Sequence, residues 1–170
     1  MQDLLLMRHA KSDWHSGART DFGRPLNERG LRNASDMARW MRSALPRPDV
    51  ILCSPAERTR QTVVRVCAEW GLEADRIVWE SRIYEAPPGE LLTVLGETDT
   101  AARTVLMVGH NPGTELLIRE LTGAEVPADE GGKAVPTGTV AHIRFDPPEA
   151  PLVRGSGQLL RVMRPRQLPG

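Results

Sequence analysis

Two short apolar runs each end at a histidine: Leu4-Leu5-Leu6-Met7 leads into Arg8-His9, and Val105-Leu106-Met107-Val108 leads into Gly109-His110. Short, uninterrupted apolar runs bounded by polar chain are what strands buried on both faces require, and parallel sheets are built from such strands. Open α/β sheets hold their ligands at the carboxyl ends of the strands, so both imidazoles fall on the edge where a site belongs. A third run, Val50-Ile51-Leu52-Cys53, leaves through Ser54-Pro55-Ala56-Glu57-Arg58 and delivers an arginine from the first turns of a helix. Two histidines and several arginines converging on one strand edge suit an anionic substrate. Phosphate is the commonest such anion that also needs a nucleophile.

The rest of the chain alternates strand and helix. Residues 3–8 read as a strand, and 9–24 as a polar loop broken by Gly17 and Gly23 and followed by Pro25. Asn27-Glu28-Arg29-Gly30 opens a helix whose apolar stripe is Leu31, Ala34, Ala38, Met41 and Leu45, stopped by Pro46 and Pro48. After the strand 50–53 a helix is expected from Pro55 to about Trp70, with Gly71 as its C-terminal cap. A short strand at 76–79, a short helix at 88–96 and the strand 104–109 follow. Pro112 fits the first turn of a helix that reaches about Leu121 and ends at Gly123. Residues 123–138 read as a loop. Alternation at Val140, His142-Ile143 and Phe145, and again at Leu159-Leu160-Val162, predicts closing antiparallel strands. The expected fold is α/β, a three-layer αβα sandwich with a mostly parallel central sheet, formed by a single domain over 1–170.

Charge and composition narrow the function classes. The chain has 22 acidic and 22 basic side chains, so no global field favours nucleic acid or an acidic membrane surface, and any anion selectivity must be local. No apolar run approaches the ~20 residues of a membrane span and the N-terminus lacks the pattern of a secretory leader, which sets the expected location as cytoplasmic. Cys53 and Cys67 sit at no metal-ligand spacing and read as reduced, partly buried thiols. Trp40, Trp70 and Trp79 fall where core packing explains them, and His15 and His142 read as structural or exposed.

Four segments carry a resemblance. Leu6-Met7-Arg8-His9-Ala10-Lys11, Arg24-Pro25-Leu26-Asn27-Glu28-Arg29-Gly30, Ser54-Pro55-Ala56-Glu57-Arg58-Thr59-Arg60-Gln61-Thr62 and Val108-Gly109-His110-Asn111-Pro112 resemble, in order and spacing, the successive motifs of the histidine phosphatase superfamily. The Arg-Pro-Leu-Asn segment, and Ala10 where most branches carry glycine, make the chain most similar to the SixA-like phosphohistidine phosphatases. The resemblance spans residue 4 to about residue 145. It implies a phosphoglycerate mutase-like fold and a phosphohistidine intermediate on His9. Arg8, Arg58 and His110 would complete the phosphate pocket, and Arg24, Lys11 and Asn111 are expected to contact substrate. Larger members place an acid after the third strand, where Glu85 stands here; SixA-like members do not keep it reliably, and capping or surface roles for Glu85 remain open.

The chemistry also stands on the residues. A neutral imidazole attacks phosphorus in line and splits one displacement into two easier ones. Arginine forks on Arg8 and Arg58 bind equatorial oxygens bidentately, and removing one preorganised donor of this kind typically costs about 10²–10³ in rate. Their charge is expected to keep His9 unprotonated. Arg58 is taken as an exposed strand-edge residue of little structural weight, and Arg60 and Arg65 as solvated helix residues. The reading is a phosphatase that needs no metal or cofactor and removes phosphate from phosphohistidine on a protein such as a phosphotransfer domain. Short loops favour a protruding side chain as substrate, with 10–24 and 123–138 the candidate lids. The alternatives are a phosphomonoesterase for a small phosphorylated metabolite and, from another class, a phosphate- or phosphoprotein-binding module without turnover.

Overall fold

The computed structural model describes residues 1–99 and 101–169. Six strands form one sheet: β1 (Asp3–Arg8), β2 (Val50–Cys53), β3 (Ile77–Trp79), β4 (Thr104–Gly109), β5 (Val140–Phe145) and β6 (Gly157–Met163), in the spatial order β3-β2-β4-β1-β5-β6. The β3-β2-β4-β1 half is parallel, while β5 runs antiparallel to both β1 and β6. Among the described residues four α-helices cover the faces: α1 (Glu28–Ala44), α2 (Glu57–Trp70), α3 (Pro88–Gly96) and α4 (Gly113–Thr122).

Alternation along β1 shows how the layers are made. Leu5 and Met7 pack with Met37, Ala38 and Met41 of α1 and Val63 and Val66 of α2, whereas Leu4 and Leu6 pack with Leu91 and Val94 of α3 and Leu117 and Ile118 of α4. A strand buried on both faces has no polar side to spare, which is why the run is apolar without interruption. The α/β three-layer sandwich with a mostly parallel sheet is therefore the observed architecture.

Local signals in the sequence explain the helix ends. The Asn27 side chain accepts a hydrogen bond from the Gly30 N–H at 2.8 Å and caps α1. Gly71 and Gly123 close α2 and α4 in the left-handed region, with φ of 60° and 65°. Two starts differ from expectation. Helix α2 begins at Glu57 rather than Pro55, and α4 at Gly113 rather than Pro112, because Ala56 is extended and the prolines serve as lead-ins that donate no backbone hydrogen bond. Trp79 corrects the expected core role: it lies 37% exposed under the Arg60 guanidinium, 4.2 Å from the ring centroid, so Arg60 is stacked rather than simply solvated. Trp40 and Trp70 pack as expected against the core on the α1 and α2 side.

Register sets the level of the site. Arg8 pairs with Gly109 across β1 and β4, and Cys53 with Val108 across β2 and β4. The residues that come next, His9, His110 and Ser54, therefore leave three neighbouring strands at nearly one height.

Candidate active site

His9 and His110 are buried, 6% and 5% exposed, with ring centroids 5.3 Å apart. His9 Nδ1 lies 2.7 Å from the Ala10 carbonyl oxygen. A carbonyl only accepts, so Nδ1 carries the proton and Nε2 presents its lone pair. Arg58 Nε donates to that Nε2 at 3.3 Å. His110 Nε2 is 2.8 Å from Ser54 Oγ, while its Nδ1 has no partner. Tyr84 packs edge-on against the His110 ring with centroids 5.3 Å apart.

The arginines come from separate elements. Arg8 Nη1 donates to the Val135 carbonyl at 2.8 Å, and its Nε is buried without a partner. Arg58, on the first turn of α2, is 4% exposed, which corrects the expectation of an exposed strand-edge residue; β2 and α2 carry it inward beside His9. Its two terminal nitrogens donate to Asp21, to the backbone oxygen at 2.7 Å and to the carboxylate at 2.9 Å. Arg24 is buried too. It bonds Ser12 Oγ and the Asp21 carboxylate, lies 3.6 Å from the centroid of the exposed Trp14 ring, and keeps an unpartnered Nε.

Asp21 was not singled out as a site residue by the sequence. Its carboxylate accepts from Arg24 at 2.6 Å, from Arg58 at 2.9 Å and from the Tyr84 hydroxyl at 2.8 Å. It ties up guanidinium N–H groups of both Arg24 and Arg58. Partial burial alone would raise its pKa, but the hydrogen bonds from Arg24, Tyr84 and Arg58 hold it well below the usual carboxylate range. An isolated Asp in a polar loop carries no periodic or motif signal, and only its position three residues before Arg24 hinted at the pairing.

Both imidazoles are held neutral. Burial is the main force that pushes His9 down to about 3, aided by electrostatic coupling to His110 and by the charges of Arg58 and Arg8; the Ala10 hydrogen bond opposes them. Burial first, then Arg58, also takes His110 down to about 3. The direction expected for His9 holds, but desolvation, not the arginine charge, is its larger cause.

The other expected residues sit further out. Lys11 is exposed, and its backbone carbonyl accepts from Asn27 N–H at 3.0 Å. Asn111 Nδ2 bonds Glu115 and the Val135 carbonyl, both at 3.2 Å, and its Oδ1 has no partner. Glu85 is exposed, has a φ of 51°, and makes no side-chain hydrogen bond among the described residues. His15 is exposed, and His142 is buried with its Nε2 hydrogen-bonded to Asp3 Oδ1 at 2.6 Å, away from the strand ends. Cys53 and Cys67 are free and buried, and burial raises both thiols, Cys67 to about 11. Among the described residues no group of three or more His, Cys, Asp or Glu is placed to hold a metal ion.

The fold and this cluster define a phosphoryl-handling α/β enzyme of the phosphoglycerate mutase-like class. Residues 4–90 match the histidine phosphatase superfamily (branch 1), and the chain belongs to that family. An uncharacterized protein of Mycobacterium tuberculosis is 34% identical over 164 residues, covering 94% of this chain and 100% of the relative. An uncharacterized chloroplastic protein of Arabidopsis thaliana is 30% identical over 131 residues, covering 72% of this chain and 60% of its own length. Two solved structures of candidate SixA phosphohistidine phosphatases align along nearly the whole fold. The Agrobacterium tumefaciens structure is 27% identical with a TM-score of 0.78, covering 96% of this chain and 97% of its own. That from Nakamurella multipartitia is 30% identical with a TM-score of 0.78, covering 96% of both chains. A protein histidine phosphatase SixA complexed with tungstate shares the fold at a TM-score of 0.81 and 24% identity, covering 98% of this chain and 99% of its own. The chain is a histidine phosphatase, a hydrolase acting on phosphate esters or phosphoramidates.

Proposed function

We propose that the chain removes phosphate from phosphohistidine on a protein through a covalent phosphoryl intermediate on His9. The observation that carries the reading is the state of His9: a buried, neutral imidazole whose Nδ1–H is tied to the Ala10 carbonyl, leaving the Nε2 lone pair beside Arg58 Nε. In the first step that lone pair forms an N–P bond as the bond from phosphorus to the leaving nitrogen breaks, and the departing imidazole takes a proton from water. In the second, water attacks phosphorus, the His9 N–P bond breaks, and phosphate leaves.

Charge compensation falls to the donors around the pair. Unpartnered N–H groups on Arg8 Nε and Arg24 Nε suit equatorial oxygens. If Ser54 donates its hydroxyl proton to His110 Nε2, then His110 Nδ1 carries a free N–H for the same group. Arg58 joins them by exchanging the Asp21 carboxylate for the phosphoryl group. Glu85, exposed and unbonded, is the remaining candidate acid; an imidazole leaving group needs strong acid assistance less than an alkoxide does. Lys11 and Asn111 act at the periphery, toward substrate. The similarity to SixA-type structures supports phosphohistidine as the substrate, with small phosphorylated metabolites as the competing class. The polypeptide works as one domain, and the cytoplasm, where phosphotransfer proteins act, is its expected location; no helix among the described residues is long and apolar enough to cross a membrane.

The test is His9→Ala. Turnover of a phosphohistidine protein should vanish, together with acid-labile, base-stable labelling of the enzyme. Labelling that persists on the variant would overturn the assignment.

A further inference from the structure

A second concentration of positive charge lies beside the imidazole pair; it shares Arg8 and Lys11 with the chemistry above, while Arg29, Lys133, Arg164 and Arg166 take no part in it. A surface cavity of about 340 Å³ is lined by Arg8, Lys11, Arg29, Lys133, Arg164 and Arg166, with Asp129 as its one acidic side chain. In a chain whose charges balance at 22 each, six cations around one cavity are a local excess. Among the described residues none of the six comes within 4.0 Å of a carboxylate oxygen. Asp129 offsets only part of this charge: its Oδ1 accepts from the Gly131 and Lys133 N–H groups at 2.9 Å and so shapes its own turn, and its carboxylate interacts with Arg166 and Arg164 across space without a direct ion pair.

The cavity is a built one. Arg164 is 8% exposed, and its guanidinium holds the carbonyls of Pro127 and Ala134, which fixes the 127–134 wall against the chain that follows β6. It also shares its frame with the catalytic edge. Val135 holds Arg8 Nη1, and Pro136 and Thr137 line the cavity. Gly138 N–H then donates to the His9 carbonyl at 2.9 Å. Neither His9 nor His110 lines it, so the cavity offers anion recognition without a nucleophile.

We propose that this cavity is a second anion subsite, which holds a carboxylate or phosphate carried by the same substrate close to its scissile phosphoryl group. Arginine and lysine side chains that lack carboxylate partners and converge on one concave surface favour such a group over water, and the cluster is stabilised when the anion arrives. The inference rests on His9 being the phosphoryl-accepting residue, since Arg8 is what joins the two places. Two sources can supply the anion: acidic side chains that flank the phosphohistidine of a protein, or a second phosphate on a small molecule.

The experiment uses the double variant Lys133→Ala, Arg166→Ala, because both side chains are exposed and their loss spares the fold, whereas Arg164 is a structural tie. Three arms are compared: phenyl phosphate, a phosphohistidine peptide with acidic or with alanine flanks, and a sugar bisphosphate with its monophosphate. In one of the latter two arms the KM for the more anionic member should rise by about tenfold with kcat unchanged, while phenyl phosphate stays within about twofold. The arm that moves identifies the source. Equal KM values for wild type and variant in both arms overturn the subsite. Affinity of the same charged probes for protein carrying His9→Asn, with and without the double variant, reads binding apart from turnover. A tenfold loss of affinity there supports the subsite even if no substrate is turned over, an outcome that would fault the phosphatase reading alone.

Discussion

At the scale of single residues, the site depends on which atom of each side chain is already engaged. His9 spends Nδ1–H on the Ala10 carbonyl and so keeps the Nε2 lone pair, the atom that attacks phosphorus in the proposed mechanism. Arg58 is both a donor to that nitrogen and a partner of Asp21, and it is buried. Arg58→Ala should therefore lower kcat by about 10² or more and also cost about 1–3 kcal/mol of stability, because it leaves the buried His9 Nε2 and the part-buried Asp21 acceptors without their donor. Steady-state kinetics and a denaturant titration on the same sample check both; a rate loss below about threefold returns Arg58 to a structural role alone. In the proposed mechanism Asp21 competes with the phosphoryl group for Arg24 and Arg58. Asp21→Asn should weaken that competition and tighten inhibition by tungstate, while weaker inhibition would mean that Asp21 orients Arg24 and Arg58 for substrate.

At the scale of elements, one close approach links helix α1 to the loop after His9. A Cβ built on Gly30 would lie 2.0 Å from the Lys11 carbonyl oxygen, so only glycine lets the first turn of α1 rest on that segment. The contact is fixed from both sides, because Asn27 caps the same turn through Gly30 N–H and its own N–H donates to the Lys11 carbonyl. This gives the glycine of the Arg-Pro-Leu-Asn-Glu-Arg-Gly segment a physical reason. Gly30→Ala should destabilise the fold by about 1–3 kcal/mol through overpacking, and it should lower kcat more than it changes the affinity for inorganic phosphate, since the displaced chain is the one that carries His9. Chemical denaturation and kcat measured together test this, and an unchanged kcat in a destabilised variant would confine the glycine to folding. The helices and strands themselves were largely legible, because their apolar periods and their Asn, Gly and Pro boundaries are local signals. Starts shifted by a residue or two where a proline leads the chain in without being part of the helix.

At the scale of the whole molecule, burying two histidines beside a charged edge couples folding to pH. In the unfolded chain each imidazole takes a proton near its ordinary value of 6.5, but in the folded protein neither does so until about 3. Acid therefore favours the unfolded state, and stability present above pH 6.5 should fall by about 1.4 kcal/mol per pH unit per histidine as pH drops from there toward 3. Denaturation midpoints followed from pH 7 to pH 4 for wild type and His9→Gln should differ in slope by about one proton; parallel curves would show that His9 is freely protonated in the fold. The sequence by itself determined the layered α/β fold, the strand edge that carries the chemistry, and the identity of His9, Arg8, Arg58 and His110 as its candidates. It could do so because apolar period, caps and motif spacing are properties of neighbouring residues along the chain. Tertiary structure alone decided that Arg58 is buried, that Asp21 from a polar loop joins Arg24, Arg58 and Tyr84, that Glu85 stands apart in solvent, and that six cations from scattered segments meet around one cavity. Those relations join residues up to 158 positions apart, from Arg8 to Arg166, and they are set by sheet register and loop closure, which no local pattern records.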